Sequence, residues 1–239
     1  MARWADKHPD LVAEIRAYLA SRHPDLDLRI EDGRVSIRGS FAIADGEGVI
    51  DRFQVAVRIP DDFPDALPTL EEVGGRIPRE SKRHIEPSGL ACLTVPEEWY
   101  FLSQDRSFGT FMEGPIKNFL VSQSTFELTG EWPFGERPHG FEGLVQGYGE
   151  RFGSTDLAVI RNYLRYLALK APKGHWDCPC GSGKRVRQCS HQEQLMALRS
   201  SMPPKIADRA LKRFEAKGAA VTASASTLAN GRLGRPVEV

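Results

Sequence analysis

The chain has 239 residues, and its 32 Lys and Arg residues balance its 32 Asp and Glu residues, so the formal net charge is zero. This length is sufficient for a full hydrophobic core and an appended smaller unit, with the apolar and charged fractions of a soluble globular protein. No apolar run reaches membrane-spanning length, the N-terminus lacks a signal-peptide core, and four cysteines then indicate a reducing cytoplasm.

The charge is unevenly distributed along the chain. Residues 173–239 contain 12 Lys and Arg against 5 Asp and Glu, so this part is net basic and residues 1–172 are net acidic. A basic tail on an acidic body predicts two units, with the tail either contacting an acidic partner or solvated beside a metal site. We do not expect nucleic acid as a partner, because that interpretation depends on the tail alone. The composition of 218–239 predicts disorder.

The first elements are predicted by periodicity. Apolar residues at intervals of three and four after Pro9 predict an amphipathic helix that ends at His23–Pro24. Alternating runs separated by short turns then predict an antiparallel meander with one face on the helix. Its strands are expected within 26–30, 35–41, 50–59 and 69–73.

The second half of the chain is predicted to be mainly helical. Residues 76–106 show little periodicity, and a loop of that length in a compact domain usually carries function. A helix is predicted over 107–126, with Pro115 as a kink or as its true start. Further helices are predicted over 141–152, 156–170, 192–199 and 205–217, the second of these capped near Asp156.

Cys92 lies alone in the long loop, with His84 eight positions upstream. The other three cysteines lie together near the C-terminus, so Cys92 is the one left unexplained. A lone thiol of this kind is a candidate nucleophile, although lone cysteines are also commonly buried and inert.

Cys178, Cys180, Cys189 and His191 have metal-ligand spacing, C-x-C followed by C-x-H. Three thiolates and one imidazole predict a closed tetrahedral zinc site. The stretch resembles the SEC-C motif, the zinc-binding tail of the bacterial translocase ATPase. That family has its fourth ligand immediately after the third cysteine, where this chain has a serine, so we expect His191 as the ligand and His175 as a weaker alternative. The resemblance implies a protein-binding or stabilising element rather than a catalytic one.

The order of elements up to about residue 170 is similar to the ubiquitin-conjugating-enzyme fold. The aromatic-Pro loop before the fourth strand is matched by Phe63–Pro64 and Pro68, the active-site motif Gly-x-x-Cys-Leu by 89–93, and the following tryptophan by Trp99. The resemblance implies an α+β fold with an N-terminal helix, a four-stranded antiparallel meander and C-terminal helices, plus the zinc knuckle. We therefore predict a conjugating-like domain over 1–170, a zinc knuckle with flanking helices over 171–217 and a disordered tail over 218–239.

One part of the family pattern is missing. Where eukaryotic members have His-Pro-Asn, this chain has His84-Ile85-Glu86, and no Asn occurs in the first 117 residues. Backbone amides around Leu93–Thr94, His84 or His139 are then the candidate oxyanion donors, and His84 is expected mainly to anchor the loop. With Gly-x-Trp-Pro at 130–133 followed by His-Gly at 139–140, the sequence looks more like the bacterial ubiquitin-conjugating-like proteins of antiphage operons, encoded beside cGAS-like nucleotidyltransferases (CBASS).

The resemblance implies a transferase. Cys92 would accept, as a thioester, the C-terminus of a ubiquitin-like protein or of a cGAS-like nucleotidyltransferase, and would pass it to an amine. A separate activating enzyme is expected, because the sequence has no ATP-binding glycine loop. The main alternative is a non-catalytic adaptor that binds a partner through the zinc knuckle and basic tail. A cysteine hydrolase using His84 or His139 is a further alternative, without an obvious Asp or Asn to orient either histidine.

Overall fold

A four-stranded antiparallel sheet forms the frame of the N-terminal half in the computed structural model, which describes residues 4–103, 105–133 and 140–230. The strands run in the order in which they occur along the chain, so the predicted meander is confirmed. They are β1 (Leu26–Glu31), β2 (Arg34–Ala44), β3 (Val49–Ile59) and β4 (Thr69–Glu72).

The turns of the sheet follow from local sequence. Asp32 and Gly33 both have positive φ, 50° and 70°, as the two-residue turn between β1 and β2 requires. Gly39 lies where β2 passes close to the chain before β1, and a Cβ there would lie 2.1 Å from the Asp25 carbonyl oxygen. The Asp45 carboxylate accepts the amides of Glu47 and Gly48 and so fixes the turn between β2 and β3.

The first long helix covers one face of this sheet. After the short helix α1 (Trp4–Lys7), helix α2 (Pro9–Arg22) buries Val12, Ile15 and Leu19 in the same apolar cluster as the inward residues of the sheet. Those sheet residues are almost fully inaccessible to water: Ile37, Phe41, Val55, Val57 and Leu70. Alternation in the strands and the three-and-four spacing in the helix therefore create one common core.

The helical stretch after residue 107 is divided into three parts. Helix α4 (Phe108–Phe111) is followed by a π-helical turn (Met112–Ile116) and by helix α5 (Lys117–Thr129). The interruption coincides with Pro115, which has no backbone N–H to donate and disfavours a regular helix, as the sequence predicted.

The π-helical turn places Glu113 in a polar cluster. Its carboxylate accepts a hydrogen bond from the Tyr18 hydroxyl at 3.0 Å and lies 3.3 Å from His23 Nε2, while Arg22 and Lys117 lie within 4 Å. The His23 side chain is buried and its ring packs on Phe41, with centroids 4.6 Å apart. Burial lowers the pKa of His23, and the opposing attraction of Glu113 only partly offsets this effect.

One helix in the long loop was not predicted. Helix α3 (Pro96–Leu102) begins with a proline in its first turn, and Trp99 and Tyr100 on it are buried. Because it has only seven residues, it offers too few turns for a periodic pattern to be recognised in the sequence.

Between residues 140 and 230, the structure has four α-helices: α6 (Gly140–Phe152), α7 (Leu157–Ala168), α8 (Gln192–Ser201) and α9 (Pro204–Asn230). The chain divides into two compact units: a sheet unit, residues 1–99 and 103–136, and a helical unit, residues 100–102 and 137–239. The boundary expected near residue 170 thus falls inside the helical unit, because α7 packs on α9. Helix α9 continues to Asn230, so residues 218–230 of the predicted disordered tail are helical, in keeping with the helix propensity of their alanines, and residues 231–239 lie outside the described residues.

None of the helices in the described part of the chain combines the length and the apolar character that a bilayer crossing requires.

We predict that His23 makes stability depend on pH. Because its pKa is lowered in the folded state, the unfolded chain binds more protons below about pH 6.5, and the free energy of unfolding should decrease as the pH falls from 7.5 to 5.5. His23→Gln should lose this decrease, measured by urea unfolding followed by tryptophan fluorescence. His175→Gln, at an exposed position, is the control. An equal pH dependence in His23→Gln and the unsubstituted protein would contradict the prediction.

Candidate functional site

The loop that contains Cys92 lies along the outer edge of β4. The Ala91 amide donates to the Leu70 carbonyl at 2.9 Å, and the Cys92 amide donates to the His84 carbonyl at 2.8 Å. Isolated bridges join Glu71 to Leu90 and Ile85 to Ala91. Residues 84–92 therefore form a small hairpin against β4, and Cys92 follows its last bridged residue with an exposed side chain.

A buried carboxylate fixes the start of this loop. Glu72 is 7 % exposed, and its two oxygens accept the amides of Gly74, Arg76 and Ile77 at 2.8, 2.9 and 3.3 Å. These three charge-assisted hydrogen bonds to one carboxylate fix the backbone conformation of residues 74–77, and so the direction in which the loop leaves the sheet.

A buried arginine holds the middle of the loop against α5. Arg83 is 8 % exposed; its Nε donates to Gln123 Oε1 at 2.9 Å, and one terminal nitrogen lies 3.0 Å from Glu127 Oε1. Gln123 in turn donates to the Arg83 carbonyl at 2.7 Å. The guanidinium also lies over the ring of Phe126, 5.0 Å from its centroid. Arg83 immediately precedes His84, so this network sets the position of the Cys92 hairpin.

A second arginine extends the network to the sheet. Arg76 binds Asp51 on β3 at 2.7 Å and Glu127 on α5 at 2.6 Å, and the Ser124 hydroxyl also donates to Asp51. The hydrogen bonds from Arg76 lower the pKa of Asp51 to about 2, against the opposing effect of burial. The carboxylate is therefore charged throughout the neutral range.

Aromatic rings lie beside His84. Its imidazole contacts Trp132 edge-on, with centroids 4.6 Å apart, and Trp132 stacks on Phe126 at 4.6 Å. The His84 carbonyl accepts the Cys92 amide, so the backbones of the two predicted residues are joined, while the His84 ring packs on Trp132. The other predicted histidine, His139, lies outside the described residues.

Trp99, the tryptophan after the cysteine motif, is a packing residue. It is buried, and its ring lies edge-on to Phe111 at 5.3 Å.

The second candidate site is a cluster of thiols in the helical unit. The Sγ atoms of Cys178, Cys180 and Cys189 all lie within 4.8 Å of one another, and this group could hold a metal ion. Cys178 and Cys189 are buried, and Cys180 is half-buried. The C-x-C and C-x-H spacing in the sequence had predicted that these three sulfurs would meet.

Backbone hydrogen bonds build the loop around the thiols. Cys178 N donates to the Lys184 carbonyl at 2.8 Å, and Val186 N donates to the Trp176 carbonyl at 2.9 Å. A short ladder therefore closes residues 176–186 into a knuckle, and a 3₁₀ turn at Val186–Gln188 brings Cys189 back to the first two cysteines.

The two predicted histidine ligands differ in position. His191 Nδ1 lies 3.6 Å from Cys189 Sγ, beside the cluster. His175 is exposed, and its carbonyl oxygen accepts a hydrogen bond from Arg185 at 2.6 Å. Of the two, His191 is the one whose ring lies near a thiol, that of Cys189, and it lies outside the group of ligand atoms within 4.8 Å of one another.

The surroundings shift the pKa values of Cys178 and Cys189 in opposite directions. The His191 amide, followed by the Ser182 hydroxyl, lowers the pKa of Cys189 to about 6, whereas burial raises the pKa of Cys178 to about 12. A bound cation would favour the thiolate form of each ligand, because its charge compensates the cost of burying sulfur anions.

Two features of these sites were missed by the sequence analysis. The Arg83–Gln123 pair joins residues 40 positions apart, and nothing in the local sequence indicates it. The Ser182 hydroxyl lies 3.2 Å from Cys180 Sγ, and the glycines on both sides of it were the available signal.

Comparison of the chain with protein-family models, with curated proteins and with solved structures finds no match.

We predict that Gln123→Leu loosens the Cys92 hairpin. The substitution leaves the buried Arg83 side chain and carbonyl without two of their hydrogen bonds, which should lower the free energy of unfolding by roughly 1–3 kcal/mol. Hydrogen exchange of the Ala91 and Cys92 amides should also become faster. Gln146→Leu, at an exposed position on α6, is the matched control. Unchanged exchange at these amides in Gln123→Leu would show that the Arg83 network does not hold the loop.

Proposed function

We propose that the chain is a ubiquitin-conjugating-like transferase that carries a protein C-terminus as a thioester on Cys92. The observation that supports this most is the exposed thiol at the end of a hairpin fixed to β4 by backbone hydrogen bonds. A carrier cysteine must be open to a large acyl donor and yet be held in one place, because misplacement by an ångström costs rate. The α+β architecture, with α2 on a four-stranded meander, is consistent with the conjugating-enzyme fold that the sequence resembles.

The proposed reaction has two acyl-transfer steps. The Cys92 thiolate attacks the carbonyl carbon of a thioester on an activating enzyme, a C–S bond forms, and the activating enzyme's thiolate leaves. A lysine amine then attacks the new thioester, loses its proton to solvent, and expels the Cys92 thiolate as the amide bond forms. The acyl donor is the C-terminus of a ubiquitin-like protein or of a cGAS-like nucleotidyltransferase, in a cytoplasmic antiphage system.

The oxyanion of each step requires a hydrogen-bond donor other than the missing Asn. The Leu93 amide, one of the predicted candidates, donates to the Ala91 carbonyl at 3.1 Å. The Thr94 amide has no acceptor among the residues that the structure describes, so it is the backbone donor we favour. His84, whose ring packs on Trp132, is assigned the anchoring role.

We further propose that the thiol cluster holds one structural zinc ion with His191 as fourth ligand. A tetrahedral zinc with three sulfurs and one nitrogen has edges of about 3.8 Å between sulfurs and about 3.6 Å between sulfur and nitrogen. The Cys180–Cys189 and Cys189–His191 separations are both 3.6 Å. The three thiols have the donor chemistry and spacing that zinc accepts, while the His191 ring lies beside Cys189 and outside the group of mutually close ligand atoms, and would complete the set on metal binding. A zinc ion held by four protein ligands would cross-link the knuckle and supply no catalysis, since no coordination position would be open.

The alternative is an adaptor in which the same fold binds a partner without acyl transfer. The closed thiol cluster favours it, because such a cluster stabilises a small binding surface without reacting.

The transferase is tested by trapping the adduct. With an activating enzyme, ATP and the proteins encoded beside this one, the unsubstituted chain should form an adduct that a reducing agent removes. Cys92→Ser and Cys92→Lys should form adducts that resist the reducing agent, because an ester or an isopeptide bond replaces the thioester. Cys92→Ala is the control and should form none, as seen by non-reducing electrophoresis and mass spectrometry. No adduct on Cys92 under these conditions would reject the transferase in favour of the adaptor.

The zinc site is tested by metal analysis of the dialysed full-length chain. We expect one zinc ion per chain, and Cys178→Ser should lose it because a serine hydroxyl is not deprotonated at neutral pH and is a poor zinc ligand. Cys92→Ser should retain the metal. A folded, metal-free unsubstituted protein would refute the site.

A further inference from the structure

Ser182 is held in a turn that presents its hydroxyl to the thiol cluster. The glycines on either side, Gly181 and Gly183, have φ of +80° and +70°, a conformation that other residues rarely adopt. The Gly-Ser-Gly sequence therefore fixes the backbone on both sides of one small hydroxyl side chain.

The Ser182 hydroxyl contacts two of the three sulfurs. Its Oγ accepts a hydrogen bond from the Cys180 thiol at 3.2 Å and from the Lys184 amide at 3.4 Å, and it lies 3.6 Å from Cys189 Sγ. A metal-bound cysteine is deprotonated, so in the loaded site the hydroxyl proton is free to be donated to sulfur. Cys180 Sγ is the nearer of the two sulfurs to that hydroxyl.

The sulfurs differ in their hydrogen-bond donors. The Cys180 amide donates to Cys178, whereas Cys189 has the His191 amide and, at 3.6 Å, the Ser182 hydroxyl. Apart from the neighbouring thiols, the partner that the described residues give to the Cys180 sulfur is Ser182. Cys180 is also the half-buried cysteine, whereas the other two are 5 % and 7 % exposed.

We propose that Ser182 is a positioning residue that protects the Cys180 thiolate, and that Cys180 is the ligand at which metal loss begins. Hydrogen bonds to a metal-bound thiolate withdraw charge from sulfur and reduce its reactivity, and such outer partners support the ligands they touch. Because Cys180 combines the greatest exposure with a single outer hydroxyl, its reactivity depends on that hydroxyl. This inference rests on the zinc site proposed above, and it does not depend on acyl transfer at Cys92.

The proposal is tested by alkylation of the zinc-loaded, full-length chain in a Cys92→Ala background, which removes the other exposed thiol. Iodoacetamide forms a C–S bond with the attacked thiolate, iodide leaves, and the resulting thioether is a poor ligand that releases the metal. A colorimetric chelator reports zinc release, and mass spectrometry identifies the first modified cysteine. Cys180 should be modified first, and zinc release from Ser182→Ala should be about 10-fold faster than from its parent.

Two further variants separate the hydroxyl from the fold of the knuckle. Ser182→Thr keeps the hydroxyl and should release zinc at the parent rate, while Ser190→Ala removes an exposed serine of the same knuckle and should change nothing. Cobalt-substituted protein gives a sulfur-to-metal absorption band, which should shift in Ser182→Ala and not in Ser190→Ala.

Two outcomes would overturn the proposal. First modification at Cys178 or Cys189 in the parent protein rejects Cys180 as the starting point, and this result needs no Ser182 variant. Release from Ser182→Ala no faster than from its parent rejects the protecting role. If Ser182→Ala binds no zinc while Ser182→Thr does, the hydroxyl is required for the site, which supports the proposal in a stronger form.

Discussion

The sheet unit depends on one buried cation, the guanidinium of Arg83. A charge in the interior is costly unless it is paired and hydrogen-bonded, and Gln123, Glu127 and the ring of Phe126 supply those partners. Since Gln123 also binds the Arg83 carbonyl, the side chain and the backbone of one residue are fixed together. Because the hairpin begins directly after Arg83, fixing Arg83 also restrains the hairpin and the Cys92 thiol at its end.

Much of the sheet unit could be predicted because its signals are local. Alternation predicted the four strands, and Pro115 predicted the break that appears as a π-helical turn. The contacts that fix the Cys92 loop could not be predicted in this way. Glu72 accepts amides that any residue could supply, and Arg83 finds Gln123 across 40 positions. Such pairs depend on the folded geometry and leave no periodic trace.

The thiol cluster could be predicted from the sequence. Its predicted ligands lie within fourteen residues, Cys178 to His191, so spacing alone predicted that the three thiols would meet. Spacing did not predict how the surroundings of the three sulfurs differ, with amides at Cys178 and Cys189 and the Ser182 hydroxyl near Cys180 and Cys189. The spacing of the cysteines in the sequence indicates that a cluster exists. The relative reactivities of the three sulfurs depend instead on the groups that donate hydrogen bonds to them.

The bridges from Leu90 and Ala91 to β4 have a consequence for the behaviour of the protein in concentrated solution. An open edge of a sheet offers unpaired amides and carbonyls to strands of other molecules. Here the edge of β4 is capped by the segment that carries the exposed thiol. Movement of that segment away from β4 would expose unpaired backbone groups that can pair with strands of other molecules. The same few hydrogen bonds therefore hold the thiol in place and limit aggregation through the edge of β4.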